Sequence, residues 1–159
     1  MEISIEENSI IHFQNSVLFE IEQISKYVHE LAKDFFKENN IPVTHEEFRT
    51  LDVLYCNPEC CQRDLAKLIL RDRINTGRLI DNLEKKGLIK RYNDTKGKRL
   101  VKRMTITQKG LDCYRATIIA IQPQFKKLEE KFTIEQMQEL RNTLQRLKQN
   151  ISEIVDLKI

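Results

Sequence analysis

The chemistry open to a chain depends on which charged and reactive side chains it gathers in one place, and two groups stand out here. Residues 71–103 hold twelve Lys/Arg (Arg71, Arg73, Arg78, Lys85, Lys86, Lys90, Arg91, Lys96, Lys98, Arg99, Lys102 and Arg103) against four carboxylates. That is a local excess of +8 in a chain of formal net charge +3, so the remainder carries −5. Phosphates attract such a concentration of cations, and each neutralised phosphate releases counterions, so the pattern suits a polyanionic partner; a solvated basic face is the plainer alternative. The second group is "CNPECC", which brings Cys56, Cys60 and Cys61 together. Cys61 falls near an expected helix N-terminus, where a thiolate is favoured. Metal ligation by these thiols with His45 lacks the second well-spaced Cys/His pair of a tetrahedral site.

Enzyme chemistry finds little to build on. There is no phosphate-cradling Gly loop, no G-x-S-x-G and no H-E-x-x-H. His12, His29 and His45 are scattered over helical segments, and neither Cys61 nor Cys113 has an identifiable base partner. The expectation is a binding protein without a cofactor. With 159 residues, 40% apolar and 32% charged, four Gly and three Pro, one helix-rich domain is expected. Apolar runs fall far short of the roughly 18 residues that suggest a membrane span. "MEISIEENSII" is acidic and lacks the basic start of a signal peptide, so a cytoplasmic protein with four reduced thiols is expected.

These groups must be positioned by helices and one hairpin. Ile10, Phe13, Val17, Ile21, Ile24, Val28, Leu31 and Phe35 recur by threes and fours, one stripe of a long helix over 9–38. Asn39–Asn40 and Pro42 stop it. Thr44 and Glu47 have capping-box spacing for a second helix that carries Phe48, Leu51, Leu54 and Tyr55 inward. A short helix over 61–69 should bury Leu65, Leu68 and Ile69. The next, ending near Lys86 with Gly87 beyond, should bury Ile74, Leu79, Ile80 and Leu83. Two short helices joined by a tight turn make a helix-turn-helix, whose second helix enters a major groove. "GLIKRYND" and "RLVKRMTIT" alternate like strands about "TKGK", a wing with a cationic tip.

Thr107 should cap a helix over 107–130, bent at Pro123, and Thr133 with Gln136 should cap the last one. There Met137, Leu140, Leu144, Leu147, Ile151 and Ile154 are spaced 3-4-3-4-3, a heptad seam. Either the terminal helices pack within one domain, or their apolar faces form a dimerisation layer. The second is the better explanation, because the winged unit has a core of its own. It would use Val17, Ile21, Leu140, Leu144, Leu147 and Ile151.

"QRDLAKLILRDRINTGRLIDNLEKKGLIKR", continuing to "TITQKG", resembles the core of the MarR family (multiple antibiotic resistance regulators), dimeric bacterial winged helix-turn-helix transcription factors. The resemblance covers about 44–110. It implies a mainly α fold with a small β-wing, in which a winged helix-turn-helix is flanked by long N- and C-terminal dimerisation helices. The corresponding divisions are 1–38, 44–110 and 111–159 of one integrated domain. It further implies a homodimeric repressor on a pseudo-palindromic double-stranded DNA operator, modulated by a small aromatic ligand held between the dimer layer and the winged unit. Carried over by position, Arg73, Ile74, Asn75 and Arg78 contact bases and phosphates from the recognition helix; Gln62 and Arg63 contact phosphates. Arg suits guanine and Asn adenine in the major groove. Counting back from Thr107, the family's wing motif Asp-x-Arg falls on Lys98, Arg99 and Leu100. The orienting Asp is missing there, so the wing contact passes to Arg99, Lys98 or Lys96. Gly77, inside the recognition helix, is a second departure and could admit either DNA or a neighbouring helix. Several similar regulators sense oxidants through cysteine, so a redox switch at Cys56, Cys60 and Cys61 is one alternative. A helical protein-interaction module is another, and leaves the basic segment without a purpose.

Overall fold

A computed structural model describes residues 12–156. The chain falls into two compact units, Met1–His45 and Glu46–Ile159. In the first, a 3-10 turn over Phe13–Asn15 precedes α1 (Val17–Glu38). The side chain of Ser16 caps α1 by accepting from the Phe19 amide at 3.2 Å. The helix therefore starts later than the stripe suggests: Phe13 lies in the turn before it, and Ile10 lies outside the described residues. It ends where the two asparagines stand. Asn40 takes a left-handed φ of 49°, and the Ile41 amide reaches back to the Phe36 carbonyl at 3.0 Å, a Schellman closure. Val17, Ile24, Tyr27, Val28 and Leu31 are exposed along α1.

The second unit continues α2 (His45–Cys56), which begins immediately after Thr44, and then α3 (Gln62–Leu68) and α4 (Arg73–Lys85). The hairpin of β1 (Ile89–Lys96) and β2 (Arg99–Ile106) follows, then α5 (Gln108–Glu129) and α6 (Ile134–Ile154). The strands pair antiparallel from Ile89↔Ile106 to Lys96↔Arg99, leaving Gly97 and Lys98 as a two-residue turn. Gly97 has φ +64°, as the first central position of the turn that matches the strands' right-handed twist requires. Cys61 makes a single bridge to Arg103, so the start of α3 lies against β2.

Leu51, Leu65, Ile80, Leu83, Ile89 and Met104 are fully buried and form the centre of this unit. Truncating any of them to alanine would cost about 2–5 kcal/mol. Three side chains expected inside are not. Tyr55 and Leu68 are about half exposed and Ile74 is 71% exposed. In α4 the inward positions are Thr76, Leu79, Ile80 and Leu83, spaced by threes and fours; Ile74 lies roughly half a turn round from them. In α3, Leu65 and Ala66 are buried with the capping Ile69, and Leu68 sits about 100° off that direction. Tyr55 lays one ring face on Tyr114, with centroids 4.7 Å apart, and leaves much of the rest open. Both later helices are capped as expected: Thr107 accepts from Gly110 N at 3.1 Å, and Thr133 and Gln136 form a reciprocal box. α6 buries none of its residues.

Candidate nucleic-acid interface

The turn between α3 and α4 is built from a strained backbone and one carboxylate. Leu70 stands at φ 54°, a left-handed conformation unusual for a side chain of this size, while the Arg71 amide closes on the Ala66 carbonyl at 3.0 Å. Asp72 then caps α4. Its Oδ1 accepts from Asn75 N at 2.9 Å and its Oδ2 from Asn75 Nδ2 at 2.6 Å. The Asn75 amide bond, followed by its side-chain bond, holds the Asp72 carboxyl below its ordinary pKa. Asp72 is a positioning residue that the sequence reading missed, although an Asp directly before a helical stripe is an N-cap signal. Thr76 completes the turn, its buried hydroxyl donating to the Asp72 carbonyl at 2.8 Å.

This cap orients the first turn of α4. Arg73 and Ile74 are exposed and Asn75 is half-buried, while Arg78 is exposed one turn later beside Gly77. The exposure of Ile74 sets a large apolar side chain among cations, where it is available to a thymine methyl or a sugar. An added Cβ at Gly77 would meet only Gln62 Nε2, at 3.7 Å, so no protein neighbour requires the glycine. Gly77→Ala is therefore expected to stabilise the protein by about 1 kcal/mol in chemical denaturation, through helix propensity alone. A loss of stability would contradict the open space on that face.

The twelve cations of 71–103 divide into two sets. Five are used within the protein. Arg71 pairs with Glu46, and Lys86 lies 2.6 Å from the nearly inaccessible Glu47. Arg91 grips Asp81 at 2.7 Å and Glu84 at 2.5 Å, and Lys96 lies 3.0 Å from Asp64. Arg103 has its Nε 2.5 Å from Asp94, an ion pair without hydrogen-bond alignment, and its guanidinium also donates to the Glu59 carbonyl. The other seven, Arg73, Arg78, Lys85, Lys90, Lys98, Arg99 and Lys102, are exposed and make no ion pair among the described residues. They include both α4 arginines and the two cations of the wing tip. Gln62 and Arg63 occupy the first turn of α3, with Arg63 exposed.

The cysteines have a different environment. Cys61 is the N-cap of α3, and its thiol donates to Asp64 Oδ2 at 3.2 Å. Cys60 is buried, and burial, followed by the Asp64 charge, raises its pKa above the ordinary thiol value, opposite to what a reactive thiolate needs. Cys56 is exposed and Cys113 is partly buried; none is in a disulfide. Among the described residues no group of three or more His, Cys, Asp or Glu could hold a metal ion, and no helix is long and apolar enough to cross a membrane.

Residues 43–101 match the family model described as MarR family. The uncharacterized HTH-type transcriptional regulator YybA of Bacillus subtilis (strain 168) is 28% identical over 137 residues, 86% of this chain and 89% of that relative. The structure of the transcriptional regulator SlyA has a TM-score of 0.73 at 28% identity, over 87% of this chain and 95% of that one. MepR of S. aureus, in a crystal structure of its complex with DNA, matches in fold with a TM-score of 0.73 at 22% identity, over 88% of this chain and 99% of that one. Members of this group are transcription regulators rather than enzymes. Through the helix-turn-helix and wing of residues 43–101, with helices before and after in the same order, this part of the chain matches the MarR family of winged-helix transcription regulators.

Proposed function

We propose that the protein is a sequence-specific repressor that binds a pseudo-palindromic operator as a homodimer, with α4 in the major groove and the wing tip in the adjacent minor groove. The observation that carries this reading is the division of the cations. Those without internal partners include the outward side of α4 and the tip of the hairpin, the surfaces that a winged helix presents to a duplex. Arg73 and Arg78 are suited to guanine or phosphate, and Ile74 to thymine methyl groups. Asn75 spends one amide hydrogen on Asp72 and keeps the other, with its carbonyl oxygen, for adenine. Gln62 and Arg63 would hold phosphates beside α3, and Lys98 and Arg99 would enter the minor groove. The MepR structure with DNA gives a precedent for this fold on a duplex.

Homodimerisation is supported by the exposed apolar stripes. Val17 on α1 and Leu140, Leu144 and Ile151 on α6 are exposed, with Ile21 and Leu147 half-buried on the same stripes. Apolar residues exposed along one helix face, as on each of these helices, favour an interface. A small aromatic ligand would find a stacking face at Tyr55. Beneath it, Tyr114 is kept a neutral donor by burial and by its 2.8 Å hydrogen bond to Asp52.

Two variants test the DNA contacts. Arg78→Ala should lose about 1–3 kcal/mol of operator affinity while retaining weak binding to unrelated DNA, as expected for a base contact. Lys98→Ala with Arg99→Ala should weaken binding to all sequences and reduce the slope of log K against log salt by about 0.9 per lost phosphate contact. Operator affinity unchanged in Arg78→Ala would remove α4 from the groove.

A further inference from the structure

Lys96 belongs by sequence with the wing-tip cations, but its surroundings differ from theirs. Its Nζ lies 3.0 Å from Oδ2 of Asp64, on α3, 32 residues earlier. The same oxygen accepts from the Cys61 amide at 3.3 Å and from the Cys61 thiol at 3.2 Å. One carboxylate oxygen thus joins the N-cap of α3 to the end of β1. Lys96 is also the last ladder partner before the turn, opposite Arg99. Whatever fixes Lys96 fixes where Lys98 and Arg99 point. The Asp64 carboxyl is lowered to about 2, first by the Lys96 hydrogen bond and then by that from Cys61, so it stays ionised throughout the neutral range.

We propose that Lys96 is a positioning residue rather than a DNA ligand: with Asp64 it latches the wing to α3 and sets the spacing between the wing-tip cations and the α3–α4 contacts. The latch rests on the wing-contact reading above and adds which cations act in it and how. Its carboxylate comes from α3 rather than from the hairpin itself.

The two roles for Lys96 predict opposite signs for one substitution. If Lys96 binds phosphate, Asp64→Asn frees a cation and removes an anion near DNA, so operator affinity rises. If it is a latch, Asp64→Asn loosens the wing and affinity falls. Asn can still accept from the Cys61 amide, so the cap is retained. The experiment measures operator affinity over a salt series for Lys96→Ala, Asp64→Asn, the double variant, and Lys98→Ala with Arg99→Ala. The expected result is a loss of about three- to five-fold for each single variant, the scale of an exposed ion pair. The double variant should lose no more than either alone, and Lys96→Ala should change the salt slope by less than half of the roughly 0.9 that a phosphate contact carries. Lys96 is exposed, so Lys96→Ala should fold and its slope can be read even if Asp64→Asn proves unstable. Tighter or unchanged binding by Asp64→Asn, additive losses in the double variant, or a slope change near 0.9 in Lys96→Ala would overturn the latch. A salt slope unaltered by Lys98→Ala with Arg99→Ala would overturn the wing contact itself, and the latch with it.

Discussion

The Leu144→Asp protein is expected to sediment as a monomer at micromolar concentration and to bind a full operator on the order of a hundredfold more weakly, because two tethered half-site contacts become one. Leu144 is 42% exposed in the protomer, and its neighbours on the stripe, Leu140 and Ile151, are 49% and 40% exposed. α6 is closed at its start by the Thr133–Gln136 box and buries nothing of its own. Its stripe is therefore free to serve as an interface. Removing a leucine from a fully buried site costs about 2–5 kcal/mol. An unpaired carboxylate there costs more, and two-fold symmetry places it in the interface twice. The core of the winged unit, around Leu51, Leu65, Ile80 and Met104, contains no α6 residue, so the substitution should leave that core folded. Analytical ultracentrifugation beside an operator titration reads both effects. A dimer of undiminished stability would move the interface off this face.

Gly110→Ala is expected to destabilise the protein by about 3 kcal/mol or more, the upper range for overpacking, against a total of only about 5–15 kcal/mol for a domain. Gly110 is buried in the first turn of α5. A Cβ added there would collide with the Leu88 carbonyl oxygen and press to 2.7 Å on Ile106 Cγ2. The Leu88 carbonyl cannot easily give way, because it already accepts from Thr107 N at 2.9 Å. The Thr107 hydroxyl, which caps α5, is itself 2.7 Å from the Gly87 carbonyl. The "TITQKG" segment is thus one joint: Thr107 ties α5 to the end of α4, and Gly110 lets the helix start against the root of the wing. Denaturant unfolding measures the loss. Stability equal to wild type would mean that α5 does not begin against Leu88.

Much of this was legible in the chain, for local reasons. Asn39–Asn40, Gly87, Thr107 and the Thr133–Gln136 box act within a few residues of where they stand, so helix ends could be placed from residue types. Gly97 between strand-like runs likewise defined the wing. The misplaced side chains fall in a short helix (Leu68), at a helix start (Ile74) or at a helix end (Tyr55). Ile74 is apolar, but its separation of five from Leu79 is not a same-face spacing, and Thr76 takes the inward position instead. The charge accounting was beyond local reading. Arg71, Lys86 and Lys96 find their carboxylates 25, 39 and 32 residues away, so the sequence showed the basic segment but not which cations were already spent. Leu70 gives no hint of its left-handed backbone, since Gly or Asn is the usual signal there. Gly110 was visible as a motif, whereas the carbonyl that demands it appears only in three dimensions.

The central claim is that α4 reads a two-fold-related DNA sequence. The most direct measurement is selection of bound fragments from the source genome by the purified protein, with the Arg78→Ala protein selected in parallel. The predicted result is a small set of fragments sharing an inverted repeat whose half-sites lie about one helical turn, roughly 10 base pairs, apart, with the enrichment lost in Arg78→Ala. Fragments matching the input in composition and lacking a common repeat, or the same enrichment in both proteins, would contradict it.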